Sequence, residues 1–161
     1  MSGSATHVFK PSRARRIVLD GFVPVPRGAA VAMAPPLSWP AKDPSDVLDY
    51  VLDVSAAMVG NEGDGIASIA VTITPNATGD LVMNSAAADG QTAVFWFASG
   101  QVGTVYSVQV TIATQSGRTL GRALLLPVLA LASTPPPSET LTTDAGAVIT
   151  DAGGNPILLG G

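Results

Sequence analysis

The residues best suited to chemistry in this sequence are carboxylates, and the densest group lies between residues 43 and 53. Its members are Asp43, Asp46, Asp49 and Asp53. Paired carboxylates act as general acid and base when their surroundings separate their pKa values. Asp49 and Asp53, however, alternate with apolar residues along LDYVLDVS, as one face of a strand does in water. We therefore interpret these carboxylates as a solvated strand face.

A second oxygen-rich segment is the loop GNEGDG at residues 60–65. Asn61, Glu62 and Asp64 offer oxygen atoms to Ca²⁺, which takes six or more such ligands, but their spacing is not that of an EF-hand. Asp144 and Asp151 lie in a segment with too few copies for a calcium-binding repeat. A polar hairpin loop is the preferred interpretation of GNEGDG, and we expect no metal ion and no cofactor.

Other catalytic chemistry finds few suitable residues. His7 is the only histidine and the chain has no cysteine, so the usual pairs of nucleophile and base are missing. The same scarcity excludes a zinc site of nitrogen and sulfur ligands, and neither a P-loop nor a GxGxxG motif occurs. The sequence predicts a protein that is not an enzyme and has no small-molecule substrate.

Charge is distributed unevenly along the chain. Residues 1–42 carry six of the eight basic residues and one acid, whereas residues 43–161 carry eleven of the twelve acids. The basic cluster RARR contains Arg13, Arg15 and Arg16, which suit either a phosphate backbone or an acidic protein surface. Because the pI is about 4.6 and no reading helix is apparent, an acidic protein surface, including that of a neighbouring copy, is favoured over nucleic acid.

The composition favours association with other proteins. Hydrophobic residues make up 47% of the chain and charged residues only 12%, about half the usual share of roughly 25%. Low charge gives little electrostatic protection against association. The longest apolar run, ALLLPVLALA at residues 123–132, is too short for a membrane span of roughly 20 residues and predicts a buried final strand.

Period-two alternation recurs between residues 43 and 130, at intervals typical of an all-β sandwich. The predicted strands are LDYVLDVS, IASIAVTITP, Asp80–Ser85, Gln91–Ala98, Gly103–Thr114 and Arg118–Val128. The segment AVFWFASG places aromatic residues on both faces of one of them. We expect Trp96 to pack between the sheets and Phe95 or Phe97 to be covered by an arm or a neighbouring subunit. Tyr106 fits either a tyrosine corner or a plain core tyrosine.

The two ends of the chain differ from this central domain. Residues 1–42 are rich in proline yet apolar, which predicts an extended arm that orders when docked. Residues 131–161 form a tail with a stiff spacer, STPPPS (Ser133–Ser138), and a repeat of period seven, TDAGAVI and TDAGGNPI. This tail either adds strands to a sheet edge elsewhere or is a floppy acidic extension. The residues expected to contact partners are Arg13, Arg15, Arg16, Ile17, Phe22, Trp39, Phe95, Phe97, Val148 and Ile149.

The order of several short motifs across residues 43–128 resembles that of a bacteriophage family of small Ig-like β-sandwich virion proteins, the fibre–tail adaptors. The matching motifs are the acidic opening Asp43, Pro44, Asp46, Leu48, Asp49 and Tyr50; the GDGI segment Gly63, Asp64 and Ile66; the aromatic strand; the turn Gly100, Gly103 and Tyr106; and the hairpin Ser116, Gly117 and Arg118. The chain departs from the pattern at Val54, where the family often has Trp, and in its arm and tail.

The resemblance implies an Ig-like sandwich with a structural role in the virion, assembled in the host cytoplasm. Such a protein is a non-catalytic joint, present in many copies, between the tail or neck and a fibre. The expected partners are tail, neck or fibre proteins and copies of the chain itself in a ring. The alternative is an Ig-like module that recognises a cell-surface carbohydrate or protein.

Overall fold

A computed structural model describes residues 10–19, 36–133 and 141–157, and the chain divides into two compact units, Met1–Leu131 and Ala132–Gly161. The first unit is a sandwich of two four-stranded sheets, which confirms the all-β prediction. Its strands are β1 (Arg16–Val18), β2 (Leu37–Ser38), β3 (Leu48–Asp53), β4 (Ile66–Thr74), β5 (Leu81–Asp89), β6 (Thr92–Ser99), β7 (Val105–Thr114) and β8 (Thr119–Pro127). Within the described ranges no helix is long and apolar enough to span a membrane.

The predicted arm supplies an edge strand to each sheet. The strand orders are β1-β3-β6-β5 and β2-β8-β7-β4. The pairs formed by β1 with β3 and by β2 with β8 are parallel, and the other pairs are antiparallel. Neither parallel pair joins strands that are consecutive along the chain, since β2 lies between β1 and β3, and β3 to β7 lie between β2 and β8.

The core follows from alternation in the inner strands. Tyr106, Val108, Val110 and Ile112 of β7 are at most 1% exposed, as period two predicts for a strand with one face on the core. Trp39, just after β2, lies among them, with its ring centroid 5.5 Å from that of Tyr50 and 5.9 Å from those of Phe95 and Phe97. Its indole nitrogen donates to the Val51 carbonyl at 3.1 Å, so its polar end is satisfied.

The prediction for the aromatic strand is wrong in one respect. Phe95 and Phe97 point into the core and are 0% exposed, whereas Trp96 pairs with Asp49 on the outer face and is half-buried. Sequence alternation shows that the two sets face opposite ways but not which set faces inward. The two Phe rings pack against Trp39, which comes from the predicted arm and lies between the sheets.

A tight turn before β7 makes Tyr106 a tyrosine corner. Its hydroxyl accepts from the Gln101 backbone N–H and donates to Asp80 Oδ1, each at 2.8 Å. Gly100 in this turn has φ +110°, and a Cβ there would lie 2.8 Å from a methyl of Val128. Only glycine fits this position, because any side chain would be both strained and overlapping.

The described part of the second unit, residues 141–157, forms two small turns bonded to each other. Ile149 N–H donates to Leu141 O, Ile157 N–H to Ile149 O, and Leu141 N–H to Ile157 O, at 2.9–3.0 Å. These three residues are eight apart, so the structural period differs from the seven read from the two Asp-Ala-Gly turns. Most of the predicted spacer, residues 134–138, lies outside the described residues.

Candidate functional site

The arm binds the outer face of the first sheet through Asp49. The Ser12 N–H donates to Asp49 Oδ2 at 2.7 Å, and Arg15 donates through Nη2 to Oδ1 and through Nε to the backbone carbonyl, both at 2.6 Å. The Arg15 guanidinium also lies 5.9 Å from the centroid of the Tyr50 ring. One carboxylate therefore fixes the 3-10 helix Arg13–Arg15 against β3.

A second ion pair joins Arg16 of β1 to Asp53 at the end of β3. The other Asp53 oxygen accepts from the Ser55 N–H at 2.9 Å. Asp49 is 6% exposed and Asp53 is 3% exposed, so the prediction of a solvated carboxylate face is wrong. The charge asymmetry between residues 1–42 and the remainder was the sequence signal for these pairs, although it could not assign partners.

Both carboxylates are held ionised. Burial by itself would raise the pKa of Asp49, but hydrogen bonds from the Ser12 amide and Arg15 outweigh it and lower that pKa below its usual value. At Asp53 burial is likewise outweighed by hydrogen bonds from Ser55 and Arg16, and its pKa is lowered as well. The ion pairs Arg15–Asp49 and Arg16–Asp53 therefore hold the arm against the sandwich of its own chain, and we call these two pairs the latch.

Besides Arg15 and Arg16, the predicted contact residues that the structure describes lie in the core, on the outer face of the first sheet and in the tail. Trp39, Phe95 and Phe97 are in the core, and Ile17 is partly buried against it. Arg13 is exposed and lines a cleft over Val51 and Val94 on the outer face. In the tail Val148 is half-buried and Ile149 is 38% exposed, while Phe22 lies outside the described residues.

Motif residues that are distant in sequence meet in space. Asp64 of GNEGDG accepts from the Ser116 N–H at 2.8 Å and from Arg118 Nη1 at 2.6 Å, and Arg118 Nη2 donates to Asn61 at 2.8 Å. The loop is thus tied to the Ser-Gly-Arg hairpin. Among the described residues no group of three His, Cys, Asp or Glu side chains is placed to hold a metal ion.

Sequence reasoning missed the structural part played by Lys42. This residue is 0% exposed and donates from Nζ to the carbonyls of Asp43 and Ser99, each at 2.7 Å. Its backbone pairs with Val128 beyond the end of β8. A lysine at the edge of a proline-rich segment carries no pattern that predicts burial, because both acceptors are backbone groups.

A family model described as podophage GP4 fiber-tail adaptor protein gp77 matches residues 42–127, more than half of the chain. The chain belongs to this family. The match to the adaptor family begins at buried Lys42 and ends at the last residue of β8, so β1, β2 and the tail lie outside it. It confirms the resemblance read from the ordered motifs. A comparison with curated proteins gives no match.

The outer face of the second sheet is uncharged. The outward positions of β4, β7 and β8 carry no ionisable side chain; they are Ser68, Ala70, Thr72, Thr74, Val105, Ser107, Gln109, Thr111, Ala113, Thr119, Gly121, Ala123, Leu125 and Pro127. Small neutral side chains on a sheet lose little rotamer entropy and little hydration when another surface covers them. This face therefore suits contact with protein more than contact with a charged ligand.

Proposed function

We propose that the protein is a non-catalytic, multi-copy adaptor in a phage virion that joins the tail or neck to a fibre or a neighbouring virion protein. The observation that carries this proposal is the family match across residues 42–127, which contain strands β3 to β8 of the sandwich. The likeness to the family therefore lies in the six strands that form most of the sandwich. A joint between proteins needs a stable body more than it needs a reactive group.

Three structural features support a role in assembly. The molecule presents a neutral sheet face, its carboxylates at β3 are neutralised by its own arm, and exposed apolar residues remain, among them Val102, Val105 and Leu131. Exposed apolar area contributes roughly 25 cal/mol per Å² when a partner covers it. Many copies in one particle make such modest contacts firm, because each additional contact is effectively intramolecular.

The alternative, recognition of a cell-surface carbohydrate, receives less support. Stacking on sugar rings needs exposed aromatic faces, as in other aromatic recognition platforms. Of the aromatic residues that the structure describes, Trp96 alone is not fully buried. A glycan array provides the direct comparison: specific binding would favour the alternative over the adaptor role.

The decisive experiment is removal of the gene from the encoding phage, with complementation from a plasmid. Adaptor function predicts particles with complete heads and tails that lack fibres, and restored fibres when the full chain is supplied. Purified particles should contain the protein in several copies per tail, as measured by quantitative mass spectrometry. Fibre-bearing particles without the protein would exclude the adaptor role.

A further inference from the structure

Two basic side chains of the arm remain without an ion-pair partner once the latch has formed. The latch uses Arg15 and Arg16. Lys10 and Arg13 are exposed, and neither forms an ion pair with any residue that the structure describes. The arm therefore presents two positive charges that its own sandwich does not pair.

Both cations line a cleft on the outer face of the first sheet. Its floor contains Val51 of β3 and Val94 of β6, which are 2% and 7% exposed. Because β3 and β6 lie between β1 and β5, the arm forms one wall of the cleft, and Asp89 at the end of β5 belongs to the other. The cleft measures about 270 Å³, below the roughly 300–1,000 Å³ of small-molecule sites, so it suits one side chain of a protein better than a cofactor.

The contacts of the arm fix the position of Arg13 beside this cleft. Before it in the chain, the Ser12 N–H donates to Asp49 Oδ2 at 2.7 Å, and after it Arg15 Nη2 donates to Asp49 Oδ1 at 2.6 Å. The backbone of Arg13 is thus anchored on both sides in the absence of a partner. A group that is ordered in advance loses less conformational entropy when it binds.

An aromatic side chain extends the apolar floor along β6. Trp96 follows Val94 by two residues, so it lies on the same outer face of the sheet, where it is half-buried. Trp and Arg are among the residues most enriched at the energetic centres of protein interfaces. A partner that fills the cleft and reaches Trp96 covers both kinds of residue at once.

We propose that this cleft binds a carboxylate side chain of another virion protein, with Lys10 and Arg13 as its ion-pair partners and Trp96 against apolar atoms beside it. Asp89 on the far wall repels an anion, so the bound carboxylate lies on the arm side. The inference rests on the proposed adaptor role and names the chemistry by which one partner is recognised.

A nucleic acid fits the cleft less well than an acidic protein. Duplex DNA is held through several phosphates, whereas this cleft offers two unpaired cations next to Asp89, on a chain of net charge −4. A band-shift assay with duplex DNA at low salt compares the wild type with the double variant Lys10→Ser, Arg13→Ser. Binding that the double variant abolishes would assign the cleft to nucleic acid and overturn the proposal.

Carbodiimide coupling in purified virions tests the contact directly, because the chain has only two lysines. Lys42 is 0% exposed, so Lys10 is the lysine that the reagent can join to a carboxylate. We expect an amide between Lys10 and an Asp or Glu of a different virion protein, identified by mass spectrometry. No amide at Lys10, or amides only to carboxylates of this same sequence, overturns the proposal. Lys10→Arg keeps the charge without the amine, so it should abolish the cross-link and leave the fibres attached.

Removing both charges gives a second test. We expect Lys10→Ser with Arg13→Ser to melt like the wild type, because both side chains are exposed. In the complemented phage it should lower either the copies of the protein or the fibres per virion by roughly tenfold or more. The matched control is Lys10→Arg with Arg13→Lys, which keeps both charges and should resemble the wild type. Equal protein and fibre content for the two double variants contradicts the proposal.

The two proposals fail in different ways. Virions of the serine variant that keep both the protein and the fibres remove the cleft contact and leave the adaptor role standing. An amide from Lys10 to another virion protein, in a phage whose fibres attach without this gene, keeps the cleft contact and removes the adaptor role.

Discussion

At the scale of single residues, side chains of one type can be buried or exposed, and the sequence alone does not distinguish the two cases. Asp49 and Asp53 alternate outward as predicted, yet the arm covers both. Alternation reports which face a residue occupies, but it does not report what lies on that face. Which basic residues pair with these two carboxylates depends on the path of residues 10–19, and no local sequence pattern predicts that path.

The latch predicts a stability that depends on pH. The folded pKa of Asp49 is lowered, so its contribution is complete above the unfolded value near pH 4 and is lost as pH falls through the lower folded pKa. We expect Arg15→Gln to reduce the free energy of unfolding by about 1–2 kcal/mol at neutral pH and by less below pH 4. Denaturant melts across this range measure it.

Arg13→Gln is the matched control for this prediction. It removes the same charge from the same 3-10 helix, but Arg13 is exposed. A loss for Arg13→Gln equal to that for Arg15→Gln would show that net charge, rather than the Asp49 contact, is responsible.

The tyrosine corner gives a second prediction at this scale. Tyr106→Phe leaves the Gln101 N–H and the buried Asp80 carboxylate without the phenol between them. We expect a loss of about 1–3 kcal/mol in the free energy of unfolding, because each buried polar group retains its desolvation cost. A loss under 0.5 kcal/mol (about the scatter for a neutral surface change) would mean that water replaces the hydroxyl.

At the scale of elements, prediction succeeded where strands are long and alternate. β4, β7 and β8 are recovered by periodicity because each has one face on the core. β1 and β2, with three and two residues, have too few positions for any period to show. Their formation depends on long-range pairing with β3 and β8, which no local window contains.

Trp39 makes the predicted arm part of the core. Trp39→Ala should cost about 3–5 kcal/mol in the free energy of unfolding, as large core truncations do. A chain that begins at residue 36 should therefore retain a cooperative melt, whereas one that begins at residue 43 should not. Circular dichroism melts of the two truncations decide this, and equal stability would show that the core closes without the indole.

At the scale of the whole molecule, family and fold class were predictable and the interfaces were not. The GDGI loop and the Ser-Gly-Arg hairpin, two of the motifs that carry the resemblance, meet in the structure through Asp64 and Arg118. Contacts between separate chains do not appear as paired motifs within one sequence. The composition predicts association with other proteins, and the strand order shows which strands lie at the edges of the two sheets.

The division into two units predicts independent folding of the first. Removing residues 132–161 should leave the melting temperature of the sandwich within about 2 °C of the full chain. Calorimetry of the shortened and complete proteins provides the measurement. A larger drop would mean that the tail contributes to the stability of the sandwich.

The three backbone bonds among Leu141, Ile149 and Ile157 have a kinetic consequence. Each of the three residues donates its amide to one of the other two and accepts at its carbonyl from the third, so all three bonds depend on the same three residues staying together. Deuterium uptake at these amides should proceed at one shared rate, and a glycine at any corner should accelerate all of them together.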